Sequence, residues 1–89
     1  MAWTIEIDAK AKKQLAKLGK PAAQRIIDYL ENRVAPLANA RDAGLAMKGT
    51  EFAHLWRYKV GDYRIICEIK DQKLIVLVVE IGHRREIYR

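Results

Sequence analysis

A Gly61-Asp62 pair lies between two runs of residues that are rich in aromatic and β-branched side chains. Two-residue turns of this kind join antiparallel strands into tight hairpins. We therefore predict strands over Leu55–Val60 and Tyr63–Ile69. In such a hairpin the turn fixes the register, so the residues that face each other across it follow directly from the sequence.

A third strand is predicted after a second turn near Asp71-Gln72. Six apolar residues run unbroken from Leu74 to Val79, and Glu80 separates them from Ile81. A strand without alternation is typical of a central strand that is covered on both faces. We therefore expect the strand Leu74–Ile81 to lie inside the sheet.

The N-terminal half predicts one short strand followed by two helices. Apolar and polar residues alternate over Trp3–Ile7, and Asp8 is a favoured N-cap for a helix over Ala9–Leu18. Pro21 fits the first turn of a second amphipathic helix, which Pro36 ends. The order of elements becomes β-α-α-β-β-β.

This order predicts an α+β fold in which two N-terminal helices pack on a small, mostly antiparallel sheet. The 89 residues suit a single domain over 1–89. The stretch from Leu37 to His54 has no clear period, and we interpret it as a loop with one short helical turn. A connection of this length in a small domain is usually functional.

Composition narrows the possible partners and the chemistry. The formal net charge is +6 and the isoelectric point about 9.7, which favours a polyanionic partner such as nucleic acid. No apolar run approaches the ~20 residues that span a bilayer, and the first residues do not resemble a signal peptide. One cysteine, Cys67, and two histidines cannot form the usual zinc clusters. We expect a cytoplasmic protein without metal or cofactor.

The hairpin register predicts a cluster of cations. Lys59 lies opposite Arg64, and alternation places Arg57 on the same face. Like charges directly across a sheet are destabilising, and an anion bound between them would offset that cost. If the second turn also has two residues, His83 falls on this face. A bulge at Gly82 would bring Arg84 there instead.

These side chains suit cleavage of an RNA phosphodiester by its own 2′-hydroxyl. A lysine crowded by cations favours its neutral form, so Lys59 is a candidate general base, with His83 as the alternative. Arg64 and Arg84 would stabilise charge on the phosphate oxygens. Tyr88 would stack on a base and hold the nucleotide splayed. The leaving oxygen would take its proton from His83 or from water.

The chain resembles the RelE branch of the RelE/ParE toxins. The resemblance covers nearly all of it and depends on three motifs: Met47-Lys48-Gly49, the hairpin sequence LWRYKVGDYR at 55–64, and the C-terminal sequence GHRREIYR at 82–89. It implies a microbial-ribonuclease-like sheet and cleavage of messenger RNA in the ribosomal A site, beside ribosomal RNA. It also implies a cognate antitoxin, encoded beside the toxin, that binds and neutralises it.

Matching these motifs position by position implies roles for individual residues. Arg57 stands where the best-studied branch has a lysine, and His83 where a lysine can occur. Lys48 matches a basic residue that contacts RNA in the family. The predicted catalytic residues are Arg57, Lys59, Arg64, His83, Arg84 and Tyr88, and the predicted RNA-binding residues are Lys48, Arg57, Arg85 and Arg89.

Two other functions compete with this interpretation. The ParE branch shares the fold but poisons DNA gyrase and cuts no RNA, and by resemblance its members lack the basic catalytic set. A non-catalytic nucleic-acid-binding module would need only the positive charge. Catalysis predicts abrupt loss of cleavage on substitution of Arg84 or Tyr88, whereas pure binding predicts a graded loss with each charge removed.

Overall fold

A computed structural model describes residues 2–49, 51 and 54–83. Five strands form one mixed sheet in the order β1-β5-β4-β3-β2, and β1 runs parallel to β5 whereas the other neighbours are antiparallel. Two helices precede most of the sheet, which confirms the predicted α+β class. The elements are β1 (Thr4–Ile7), α1 (Ala9–Lys17), α2 (Lys20–Tyr29), β2 (Leu45–Ala46), β3 (Leu55–Val60), β4 (Tyr63–Lys70) and β5 (Ile75–His83).

The helices begin where the sequence predicts. The Asp8 carboxylate accepts a hydrogen bond from the Ala11 N–H at 2.8 Å, as an N-cap should. Pro21 lies in the first turn of α2, and a π-helical turn over Leu30–Val34 continues that helix. The Ala35 N–H donates to the Leu30 carbonyl at 2.9 Å, the wider spacing of a π turn. None of the helices in the described residues is long and apolar enough to cross a membrane.

The core lies between the helices and one face of the sheet. Tyr58, Ile65 and Val78 are fully buried on the sheet side, and Ile26 and Leu30 are fully buried on the helical side. Tyr58 and Ile65 pair in the hairpin, and alternation puts both on the face opposite Lys59 and Arg64. Packing of an apolar sheet face against amphipathic helices removes both from water and is the main stabilising contribution.

Cys67 lies in the same core, across from Trp56, and is fully buried. Burial raises the pKa of its thiol far above the usual range, because the thiolate would lose its hydration. The residue therefore behaves as a small apolar side chain.

The turn between β4 and β5 lies near Asp71-Gln72, as predicted, but it is longer than two residues. A 3₁₀ turn over Asp71–Lys73 is followed by Leu74 in the left-handed region, with φ of 54°. Further along, Ile66 pairs with Glu80 and Cys67 with Val78, so the ladder contains a bulge. The bulge shifts the pairing by one residue and so changes which face each residue near the end of β5 occupies.

β5 lies between β1 and β4, which confirms that it is a central strand. The helices cover only one of its faces, however. Val76 and Val78 are fully buried towards the helices, whereas Leu77 and Val79 are only partly buried. The expectation that both faces are covered was therefore wrong, because an unbroken apolar run does not show which layers pack against it.

The connection after α2 contains more structure than we expected. It has the predicted helical turn, a 3₁₀ turn over Ala40–Asp42, but also β2, which extends the sheet beside β3. A strand of two residues is too short to show periodicity in a sequence. It supplies one wall of the site described next.

Candidate functional site: a basic cavity on the open face of the sheet

The β3–β4 hairpin has the predicted register. Val60 pairs with Tyr63, Lys59 with Arg64, and Arg57 with Ile66. Because paired residues share a face and neighbours alternate, Arg57, Lys59 and Arg64 all project from the face opposite the helices. The hairpin thus supplies core residues to one face and cations to the other.

A cavity of about 210 Å³ lies on that face, lined by Gly44, Leu45, Arg57, Lys59 and Arg64. The lining residues carry three cationic side chains and no carboxylate, in the part of the chain that the structure describes. Three positive charges at one small site favour an anion, and an enclosed setting strengthens their attraction to it. The cavity is therefore suited to a phosphate group.

The cations differ in burial. Lys59 is exposed and Arg57 is partly buried, whereas Arg64 is only 7% exposed. The Arg64 Nη1 donates to the Gly61 carbonyl at 3.1 Å and to the Tyr63 carbonyl at 3.2 Å. Hydrogen bonds to the hairpin's own backbone therefore orient this guanidinium before any ligand binds. The sequence predicted that Arg64 lies on this face but not that it is buried.

The wall formed by β2 is held by two aromatic side chains of β3. The Tyr58 hydroxyl donates to the Ala40 carbonyl at 2.6 Å, and the Trp56 Nε1–H donates to the Ala43 carbonyl at 2.7 Å. Gly44 follows with φ of 79°, and a Cβ there would collide with the Arg57 carbonyl oxygen. Only glycine fits this close approach.

Sequence reasoning missed Gly44 and Leu45 as parts of the site. A glycine in a long polar connection is a weak signal, because most such glycines belong to ordinary turns. The site therefore consists of three predicted cations and a wall that became apparent only in the structure.

His83 does not join the basic cavity. It pairs with Tyr63 across the β4–β5 ladder, and the two rings meet edge to face with centroids 6.0 Å apart. Pairing with Tyr63 places His83 on the helix-covered face, and Gly82 lies opposite Arg64 instead. The bulge between Ile66 and Cys67 shifts the pairing by one residue, and this shift moves His83 to the other face. Of the two alternatives, the one that placed His83 on the basic face was therefore wrong. A bulge is present, as the other alternative required, but it lies before Gly82.

Four of the predicted residues, Arg84, Arg85, Tyr88 and Arg89, lie outside the described residues. Lys48 is described and is exposed two positions beyond β2. It is not among the residues that line the cavity. The structure therefore brings together Arg57, Lys59 and Arg64 from the predicted set.

A larger hollow of about 540 Å³ lies beside the β4–β5 turn. Its lining mixes both charges, including Arg41, Glu68, Lys70 and Asp71. The Arg41 guanidinium and the Asp71 carboxylate form a bidentate pair, with distances of 2.7 and 3.1 Å. Since opposite charges neutralise each other there, the smaller basic cavity is the better candidate for binding an anion.

Comparison with known proteins finds similar toxins. E. coli (strain K12) mRNA interferase toxin RelE is 26% identical over 90 residues, which cover 99% of this chain and 92% of that protein. The mRNA interferase RelE of Shigella flexneri matches to the same extent.

Solved structures show the same fold. The toxin–antitoxin complex RelBE2 of Mycobacterium tuberculosis matches with a TM-score of 0.84 at 19% identity, over 94% of this chain and 93% of that one. The archaeal RelE–RelB complex of Pyrococcus horikoshii matches with a TM-score of 0.63 at 24% identity, over 94% and 97%. The family model for the ParE toxin of the type II toxin–antitoxin system parDE matches residues 5–88. The chain therefore belongs to this family of type II toxins, within the RelE/ParE superfamily that its hairpin and C-terminal motifs resemble.

Proposed function

We propose that this toxin is an endoribonuclease that cleaves messenger RNA in the ribosomal A site by attack of the RNA's own 2′-hydroxyl. The observation that carries the proposal is the cavity lined by Arg57, Lys59 and Arg64. The relatives named mRNA interferases support it, since they align with 99% of the chain. Lys59 and Arg64 lie directly across the sheet from each other, which is destabilising, and a phosphate bound between them would reduce their repulsion.

The chemistry divides between the lysine and the arginines. An arginine keeps its proton, so it is suited to charge stabilisation rather than to proton transfer. Arg64, oriented by the Gly61 and Tyr63 carbonyls, and Arg57 would bind the equatorial phosphate oxygens and stabilise the charge that grows on them. Lys59 remains the candidate general base that accepts the proton of the 2′-hydroxyl.

The other steps involve residues near the C-terminus. We assign Arg84 to the phosphate and Tyr88 to a nucleobase, and Lys48, Arg85 and Arg89 to the RNA backbone. Because His83 lies on the opposite face, we assign protonation of the leaving 5′-oxygen to water. None of these steps requires a metal ion or cofactor.

The partners follow from the same comparison. The M. tuberculosis and P. horikoshii relatives were solved as complexes of toxin with antitoxin, and we propose that an antitoxin encoded beside this chain binds and neutralises it. A net charge of +6 suits contact with ribosomal RNA. Because ribosomes and messenger RNA are cytoplasmic, we also propose that the protein acts in the cytoplasm.

Induction of the toxin in cells that lack the antitoxin tests the proposal, with primer extension on abundant transcripts as the measurement. We expect cuts within translated frames, reduced about 10²- to 10⁴-fold by Lys59→Met, the range for loss of a general base. Lys73→Met removes the same charge from the β4–β5 turn and should keep the cuts. His83→Gln should also keep them. Cuts that persist in Lys59→Met would exclude Lys59 as the base.

A second candidate function is poisoning of DNA gyrase. The observation in its favour is the family match, which is to a model described by ParE toxins. In the same experiment, gyrase poisoning predicts growth arrest with intact transcripts and a DNA-damage response. It also predicts that Lys59→Met leaves toxicity unchanged.

A further inference from the structure

Leu45 differs from every other side chain that lines the basic cavity, because it is large, apolar and exposed. Its exposed fraction is 60%, and the other large apolar residues among 2–49, 51 and 54–83 are at least partly buried. A single exposed leucine is ordinary on a protein surface. This leucine, however, lines the same small cavity as three cations.

The backbone holds Leu45 in that position. It pairs with Arg57 across the β2–β3 ladder, so both side chains project from the open face of the sheet. The preceding Gly44 packs tightly against the backbone of β3, and the Trp56 indole holds the Ala43 carbonyl at 2.7 Å. The strand pairing therefore holds the exposed Leu45 side chain beside the cations more firmly than a loop would.

We propose that Leu45 is a specificity-determining residue that packs against a nucleobase of the RNA whose phosphate the three cations bind. This inference rests on the proposed function. A nucleotide carries an anionic phosphate and, on the same sugar, a base with an apolar face. In the cavity, Leu45 lies across from Arg57 on the adjacent strand, about 4.8 Å away. A protein partner would need a wider apolar patch than one leucine among cations provides.

The test uses ribosomes programmed with a short messenger RNA of defined sequence. Each A-site nucleotide in turn is replaced by an abasic ribonucleotide that keeps its 2′-hydroxyl, and kcat/KM is measured for each substrate. We expect Leu45→Ala to lower kcat/KM about fivefold to tenfold on intact RNA, the order for partial burial of such a side chain. On RNA that is abasic at the contacted position, Leu45→Ala and wild type should cleave equally.

Two variants serve as controls. Leu45→Met keeps an apolar side chain of similar size and should retain most of the activity. Ala46→Ser changes the next residue of β2, which pairs with Trp56 on the other face, and should leave kcat/KM unchanged. Loss of activity in Ala46→Ser equal to that in Leu45→Ala would point to a disturbed strand and overturn the inference.

The outcomes separate the inference from the proposed function. A wild-type protein that cleaves none of the RNAs overturns both. If the wild type cleaves, but removal of each base lowers kcat/KM of Leu45→Ala by the same factor as that of the wild type, the base contact alone is overturned. Leu45→Ala could also cleave normally but no longer copurify with the protein encoded by the adjacent gene. Leu45 would then contact a protein partner, and the inference would be overturned too.

Discussion

Neighbouring residues of the β3–β4 hairpin form two different faces, one that packs in the core and one that lines the basic cavity. Tyr58 and Ile65 project into the core and are fully buried, whereas Lys59 and Arg64 project into the basic cavity. Alternation along a strand makes this separation possible, because adjacent side chains point to opposite faces. The apolar face stabilises the fold, whereas Lys59 and Arg64 on the charged face repel each other, and a bound anion would reduce that repulsion. Substitutions on the two faces should therefore have separable effects.

Ile65→Ala should give the largest loss of stability. Ile65 is fully buried in the core, and removing its outer carbons leaves a cavity that the rigid sheet cannot fill. We expect the free energy of unfolding to fall by about 2–5 kcal/mol, measured by urea denaturation. The matched change on the other face, Lys59→Met, should leave stability equal or slightly higher while cleavage is lost. If both variants lost stability equally, the two faces would not be separable.

The hairpin was predictable because its two-residue turn fixes the register without any knowledge of the rest of the fold. The β4–β5 ladder was not. There a bulge between Ile66 and Cys67 decides the face of His83, and the sequence of the strand does not show where such a bulge falls. The cations of the site were likewise predictable as a pattern. The burial of Arg64 depends on groups brought together only by folding.

Tyr58→Phe tests a residue that connects the two faces. The ring belongs to the core, but the hydroxyl donates to the Ala40 carbonyl and so holds the connection that continues into β2. Burial raises the pKa of Tyr58 well above its usual range, so the phenol keeps its proton and remains a donor. Losing this buried hydrogen bond should lower the free energy of unfolding by about 1–3 kcal/mol, less than Ile65→Ala.

The same variant should also reduce cleavage modestly, because the cavity wall at Gly44 and Leu45 loses one of its two anchors. Trp56 keeps the other, through the Ala43 carbonyl. Urea denaturation and kcat/KM measured on the same preparation give both quantities. A Tyr58→Phe protein of unchanged stability would show that the hydroxyl does not anchor the connection.

The Arg41–Asp71 pair lies at the edge of the same connection, and should give the smallest effect. It joins the 3₁₀ turn at Ala40–Asp42 to the β4–β5 turn, with Arg41 also 5.9 Å from the Trp56 ring centroid. Both side chains are substantially exposed, at 39% for Arg41 and 59% for Asp71. Solvent screening therefore limits what the pair contributes.

Asp71→Asn should lower stability slightly at neutral pH, and this difference should disappear in acid. The hydrogen bond from Arg41 holds the pKa of the Asp71 carboxyl below its usual range in the folded protein. A group whose pKa is lowered on folding stabilises the fold above its unfolded pKa, about 3.9 for aspartate. That contribution is lost as the pH falls through the folded pKa. The urea midpoints of wild type and Asp71→Asn should therefore converge below about pH 4. The matched control is Asp62→Asn, which makes the same change in the hairpin turn. Midpoints that diverged towards acid would mean that Asp71 is stabilised in its protonated form, and the link between the connection and the β4–β5 turn would then not be ionic.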